Sequence, residues 1–156
     1  MKCAICKNDP TSHSFHKINE NENMVIYYTC PSKATKYYDT KGIIEHYNIE
    51  LSQVTKKWMW IFDCTGFELK HLLEYEVGIG LAKLISEKYS TNLEKICIIN
   101  PNWYIYSMVS IVWPLLTKQI KSIIVYDSSK YICDLESSWE SDQVSTNTET
   151  STTSCR

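Results

Sequence analysis

The sequence predicts an α/β domain: a mostly parallel, mixed sheet with helices packed on it. Three observations carry that expectation. Between residues 24 and 126, apolar runs and amphipathic stretches alternate as strand, helix, strand, helix, strand, helix, strand. Right-handed crossovers turn such an order into parallel strands with helices lying on the sheet. The chain has 156 residues, 44% of them hydrophobic and 22% charged, which suits one globular domain with one sizeable core. Finally, Lys95 to Tyr126 joins a continuous apolar strand, a proline break and an unusually apolar helix.

Residues 1–23 are polar and rich in turn formers, and form a segment ahead of the domain at 24–136. They hold Cys3, Cys6, His13 and His16 in the spacing C-x2-C-x6-H-x2-H. Zinc takes four soft or borderline ligands in a tetrahedron, and a C-x2-C turn supplies two of them. The segment is thus a possible knuckle for a structural zinc, with Cys30 able to replace one ligand. The alternative is a flexible, Asn-rich arm whose ligand-type residues coincide by chance.

Met24 to Thr29 (MVIYYT) is β-branched and aromatic and reads as a strand, closed by Cys30-Pro31-Ser32. A short helix follows at about Thr40 to Tyr47, with Ile43, Ile44 and Tyr47 on one side. Lys57 to Asp63 (KWMWIFD) is the next strand, with Gly66 supplying the turn after it. Asp63, at a strand's carboxyl end, is either a catalytic acid or a loop brace. Bracing is the expectation, because no partner acid, serine or histidine is placed to work with it.

From His71 to Tyr89 the spacing of Leu73, Val77, Leu81, Leu84, Ile85 and Tyr89 predicts one amphipathic helix. Gly78 and Gly80 each cost up to about 1 kcal/mol inside a helix. Close approach of a neighbouring backbone would justify them. The G-I-G they form sits mid-helix and is not a nucleotide-binding turn. His71 reads as a solvated or locally bonded residue.

Ile96 to Ile99 is a buried-type strand, broken by Asn100-Pro101-Asn102. Proline biases Asn100 towards an extended backbone, and Asn102 is a natural N-cap. The helix it opens, about Trp103 to Leu116, is apolar or aromatic on every face except at Ser107 and Ser110. Such a helix needs covering on both sides. It falls short of the roughly 20 residues a membrane span needs. One face should lie on the sheet, and the other should meet more protein, a partner or a hydrophobic ligand. A link at Thr117–Ile120 and a strand at Ser122–Tyr126 complete the domain. Residues 137–156, mostly Ser, Thr, Asn and Glu, read as a disordered tail.

A net charge of -2 and the lack of a dense Lys/Arg stripe exclude a chain built to grip nucleic acid. The first residues do not read as a secretion signal, and seven cysteines without one suggest reduced thiols in the cytoplasm. No nucleophile–base pair, P-loop or working carboxylate pair appears, so the expectation is a non-enzymatic protein.

Lys57 to Tyr126 resembles the CRAL-TRIO (Sec-fourteen-like) lipid-binding superfamily. The matching features are the strand ending in Asp63 with Gly66-Phe67 after it, the helix closing on Tyr89, and Ile98-Ile99-Asn100-Pro101. They continue with Trp113-Pro114-Leu115-Leu116 and Ile123-Ile124. Asn100-Pro101-Asn102-Trp103-Tyr104-Ile105 looks most like the divergent BCH branch. The resemblance implies a compact, truncated form of that fold. It also implies that the helix after Pro101 is a lid over a pocket floored by the sheet, holding a phospholipid or similar lipid. By position, Trp103, Tyr104, Met108, Ile111 and Val112 become lid or pocket residues, and lipid exchange implies transient contact with a membrane surface. The alternative implied by the BCH likeness is a protein–protein interaction module with no lipid pocket, whose partner could be a small GTPase regulator.

Overall fold

The computed structural model describes residues 3–127. Five strands form one sheet in the order β1-β2-β3-β4-β5. They are β1 (His16–Glu20), β2 (Met24–Thr29), β3 (Lys57–Asp63), β4 (Leu93–Ile99) and β5 (Ile124–Asp127). The β1–β2 pair is antiparallel, and all the others are parallel. The helices are α1 (Ala4–Asn8), α2 (Thr40–Ser52), α3 (Leu69–Leu73), α4 (Tyr75–Leu84), α5 (Trp103–Val112) and α6 (Lys118–Ile123). Because each parallel connection steps to the next strand in order, crossovers of one hand place their helices on one face. That face carries the main core, where Tyr27, Trp58, Trp60, Ile96 and Ile98 pack against Tyr47, Leu81, Ile85, Ile105 and Ile120. On the opposite face Ile26, Met59, Ile61, Cys97 and Ile99 form a smaller buried cluster.

The mixed, mostly parallel sheet agrees with the expectation, and several element boundaries differ from it. The N-terminal segment is part of the sheet: β1 is its edge strand, and Phe15 stacks on Tyr27 and Tyr47 inside the core. Helix α2 runs to Ser52, past Tyr47, because Ile43, Tyr47 and Leu51 prolong one buried stripe. The single helix expected from His71 to Tyr89 is three pieces. Glu74, at φ −84° and ψ 43°, separates α3 from α4, and a π-helical turn at Ile85–Tyr89 follows α4. Leu73, placed before the break, leaves the stripe and is 64% exposed. The expected Thr117–Ile120 link is mostly helix. Thr117 caps α6 by accepting the Ile120 N–H, and Ile120 and Ile123 meet the core at helical spacing, so the last strand starts at Ile124. The tail at 137–156 lies outside the described residues.

The two helix glycines mark helix–helix contacts. A Cβ on Gly78 would stand 2.7 Å from the Met108 sulfur, and one on Gly80 would overlap the Ile44 side chain. Helix α4 is thereby clasped between α5 and α2, as the pair of glycines anticipated.

Candidate functional site

A cavity of about 160 Å³ lies between the helical face of the sheet and helices α4 and α5. Trp60, Phe62, Ile96 and Ile98 of the sheet line it. Val77, Leu81 and Ile85 wall one side, while Ile105, Met108, Val109 and Val112 of α5 close over it. Several polar side chains in this wall are already bonded within the protein. Trp60 Nε1–H donates to Thr29 Oγ1 (3.0 Å), which also shares a hydrogen bond with the Tyr47 hydroxyl (2.7 Å). His71 is buried, stacks on Phe67, and accepts the Glu68 N–H at Nδ1 (2.9 Å). Burial holds its pKa below the usual imidazole value. The resulting space favours apolar groups and offers little to a charge.

Helix α5 is set by its ends. Asn102 caps it, accepting from the Tyr104 and Ile105 N–H groups, while its Nδ2 donates to the Phe67 carbonyl (2.8 Å). Asn100 is not extended as Pro101 suggested. It takes φ 49°, the left-handed region that asparagine tolerates better than most residues. The reason lies in its side chain, whose Nδ2 donates to Asp63 Oδ1 and Thr65 Oγ1, both at 3.1 Å. At the other end Pro114 closes the helix in a 3-10 turn at Trp113–Leu115.

These caps fix the rotation of α5, which decides the fate of each expected lid residue. Met108 and Val112 face inward and line the cavity. Tyr104 is partly buried against the core without lining the cavity. Trp103 and Ile111 point outward at 67% and 43% exposure. Ile105 and Val109, the lining residues missed in the sequence, occupy the same stripe as Met108 and Val112. The signal was there in the three- and four-residue spacing, but not the phase of that stripe.

Asp63 is a brace. It accepts from the Tyr28 hydroxyl (2.6 Å), the Thr65 N–H (2.9 Å) and hydroxyl (2.7 Å), and Asn100. Burial alone would raise its pKa, but these bonds outweigh burial and hold the carboxyl below its usual range.

A second constellation lies at the N-terminal end of the main core. Cys3, Cys6, His13 and His46 are all buried, and each brings a ligand atom within 4.8 Å of every other. The Cys3 and Cys6 sulfurs stand 3.6 and 3.5 Å from His13 Nδ1. His16 is elsewhere. It pairs across the sheet with Tyr28 and its ring lies 5.6 Å from the Tyr28 ring. Since neighbouring strand residues point to opposite faces, Phe15 entering the helical core sends His16 the other way. Cys30 is also apart, its sulfur beside Ser32 and the Thr65 carbonyl. His46 takes the fourth position from α2, one residue before Tyr47 and on the same buried side.

A single-core α/β domain with an apolar cavity roofed by a proline-flanked helix defines a domain class suited to hydrophobic ligands. Residues 14–148 match the family model described as the CRAL/TRIO domain. The chain belongs to that family, whose domains bind lipids and other hydrophobic small molecules. Comparison with curated proteins gives no match. Among the described residues no helix is long and apolar enough to cross a membrane.

Proposed function

We propose that this domain takes up a phospholipid or similar apolar ligand under α5 and carries it without chemical change. The observation that carries the reading is the apolar cavity between sheet and lid, roofed by Ile105, Met108, Val109 and Val112. A volume of about 160 Å³ is close to that of a cavity that stays dry and takes up benzene. It suits one ring or a short chain segment, so a whole acyl chain requires α5 to swing outward. The proline-bearing ends of α5 suit such a hinge, and the close packing of Met108 and Val112 on Gly78 of α4 is the contact that must part. Each lid side chain that stays buried on the ligand contributes roughly 1.5–3 kcal/mol. Asp63, with its carboxylate spent on bracing bonds, supports a role without catalysis. The buried thiols of Cys30 and Cys64 suit a reducing, cytoplasmic setting.

The outer face of α5 has a part in this reading. Trp103, Tyr106, Ile111 and Trp113 are exposed there, and Lys121 lies 5.3 Å over the Trp113 ring. Aromatic side chains beside lysine suit transient contact with a membrane surface, from which the ligand would enter. The same exposed face favours a second reading, a BCH-like protein interaction module whose partner, such as a small GTPase regulator, docks on α5.

Native mass spectrometry of the full chain, before and after incubation with mixed phospholipid vesicles, tests the first reading. An adduct of lipid mass that is lost on Met108→Trp, a substitution that fills the cavity, supports it. A mass that stays bare, together with concentration-dependent assembly removed by Trp103→Ala, moves the function to protein binding.

A further inference from the structure

We propose that Cys3, Cys6, His13 and His46 form a tetrahedral zinc site that clamps the N-terminal arm onto α2. The inference stands on residues separate from the lipid cavity and does not depend on how that cavity is used.

The geometry is that of a zinc centre. Zn–S near 2.3 Å and Zn–N near 2.0–2.1 Å place sulfur and nitrogen roughly 3.5–3.6 Å apart across a tetrahedron. The two thiols stand 3.6 and 3.5 Å from His13 Nδ1. His46 supplies an independent sign. Its Nε2–H donates to the Phe15 carbonyl at 2.7 Å, which leaves Nδ1 as the acceptor nitrogen, and that atom is buried with no hydrogen-bond partner. A buried, unpaired ring nitrogen is costly unless something fills its lone pair. A cation among the four ligand atoms would do so.

The outer shell is complete as well. Metal-bound histidines hand their second nitrogen to a carboxylate or carbonyl, which orients the ring and raises its basicity. His13 Nε2 lies 3.2 Å from Asp39 Oδ2, and His46 uses the Phe15 carbonyl. Asp39 is itself tied down, because its other oxygen accepts the Gly42 N–H at the start of α2. The donor set selects the ion: two thiolates and two imidazoles in a closed, dry site suit zinc over calcium or magnesium, which want oxygen. On binding, both thiols give up their protons to solvent. Two thiolates then balance the dication, so the buried centre is neutral.

The clamp has a consequence for the fold. The arm holding Cys3, Cys6 and His13 runs straight into Phe15, which packs between Tyr27 and Tyr47. His46 precedes Tyr47, a residue of the cavity wall. Zinc therefore fastens α2 and β1 together beside the cavity.

The test is elemental analysis of the full chain purified without chelator, followed by Zn2+ and Co2+ titration of the stripped protein. One zinc per chain is expected, with thiolate-to-cobalt charge-transfer absorption and the visible bands of tetrahedral Co2+. The Cys3→Ser and His46→Gln variants should lose the metal, and His16→Gln should keep it. Asp39→Asn, which can still cap α2, should weaken Zn2+ binding roughly 10- to 100-fold. The cobalt spectrum is read on the unaltered chain, so a variant that fails to fold does not obscure the answer. A wild-type chain that binds neither ion, or one that keeps zinc in His46→Gln and loses it in His16→Gln, overturns the proposal.

Discussion

Gly78 lies so close beneath Met108 that a Cβ on the glycine would stand 2.7 Å from the sulfur. This contact joins α4 to the helix that roofs the cavity, and it couples helix propensity to pocket shape. Alanine is favoured over glycine inside a helix by about 1 kcal/mol, and methionine is flexible enough to move aside. Gly78→Ala should therefore change stability little, because the propensity gain offsets the displaced contact. Met108 lines the cavity, so the same change should lower uptake of apolar ligand. Thermal unfolding and binding of a fluorescent fatty acid, measured side by side, check the two halves.

Inward and outward positions on α5 should separate cleanly. Ile105→Ala empties a core position and should cost about 2–5 kcal/mol. Trp103, 67% exposed, should tolerate alanine within about 0.5 kcal/mol while slowing exchange with vesicles. Urea unfolding midpoints settle the first point, and transfer rates between vesicles the second. Equal destabilisation by both substitutions would show that the rotation of α5 is wrong.

Thr29 holds two large side chains by one oxygen. Thr29→Val keeps the shape but leaves the Trp60 N–H and the Tyr47 hydroxyl without that partner. The loss should be about 1–3 kcal/mol, read from denaturant titration. Thr29→Ser, which retains the oxygen, should recover most of it.

The Asp63 brace should show in acid. Its folded-state pKa lies below the unfolded value of about 3.9. Its stabilisation is therefore present above pH of about 4 and disappears as pH falls through the lowered folded value. Asp63→Asn should cost about 1.5–3 kcal/mol at neutral pH, with the gap to wild type closing in acid. Unfolding curves between neutral pH and acid test this, and a gap that stays constant would assign the loss to shape alone.

His71 works with the same sign at higher pH. Burial lowers its folded pKa, so the unfolded chain takes up a proton first as pH falls below about 6.5. Stability should decline from there towards the folded value. A His71→Gln chain should lack that part of the slope, as followed by melting temperature against pH.

Much of this molecule was legible in the linear chain, and the reasons are local. Strands β2 and β3 begin and end where Met24–Thr29 and Lys57–Asp63 predict, because β-branched and aromatic runs bounded by turn residues define them. Asn102 caps α5 as expected, since capping is a matter of adjacent residues. The paired glycines announced helix contacts because nothing else justifies their cost. Cys3, Cys6 and His13 stood out by spacing alone.

Tertiary structure decided what spacing leaves open. The phase of α5 was one such choice: an all-apolar helix has no polar face to give its rotation away, so only the Asn102 cap and the Gly78 seam turned Met108 inward and Trp103 outward. The break at Glu74 and the helix at Lys118–Ile123 likewise appear only in the folded chain, where Ile120 and Ile123 meet the core. The fourth candidate ligand was another. His16 is close to His13 in sequence, yet strand alternation sends it to the far face of the sheet, while α2 carries His46 in from 33 positions away. Local chemistry named the types of residue needed, and the fold chose which copies of them meet.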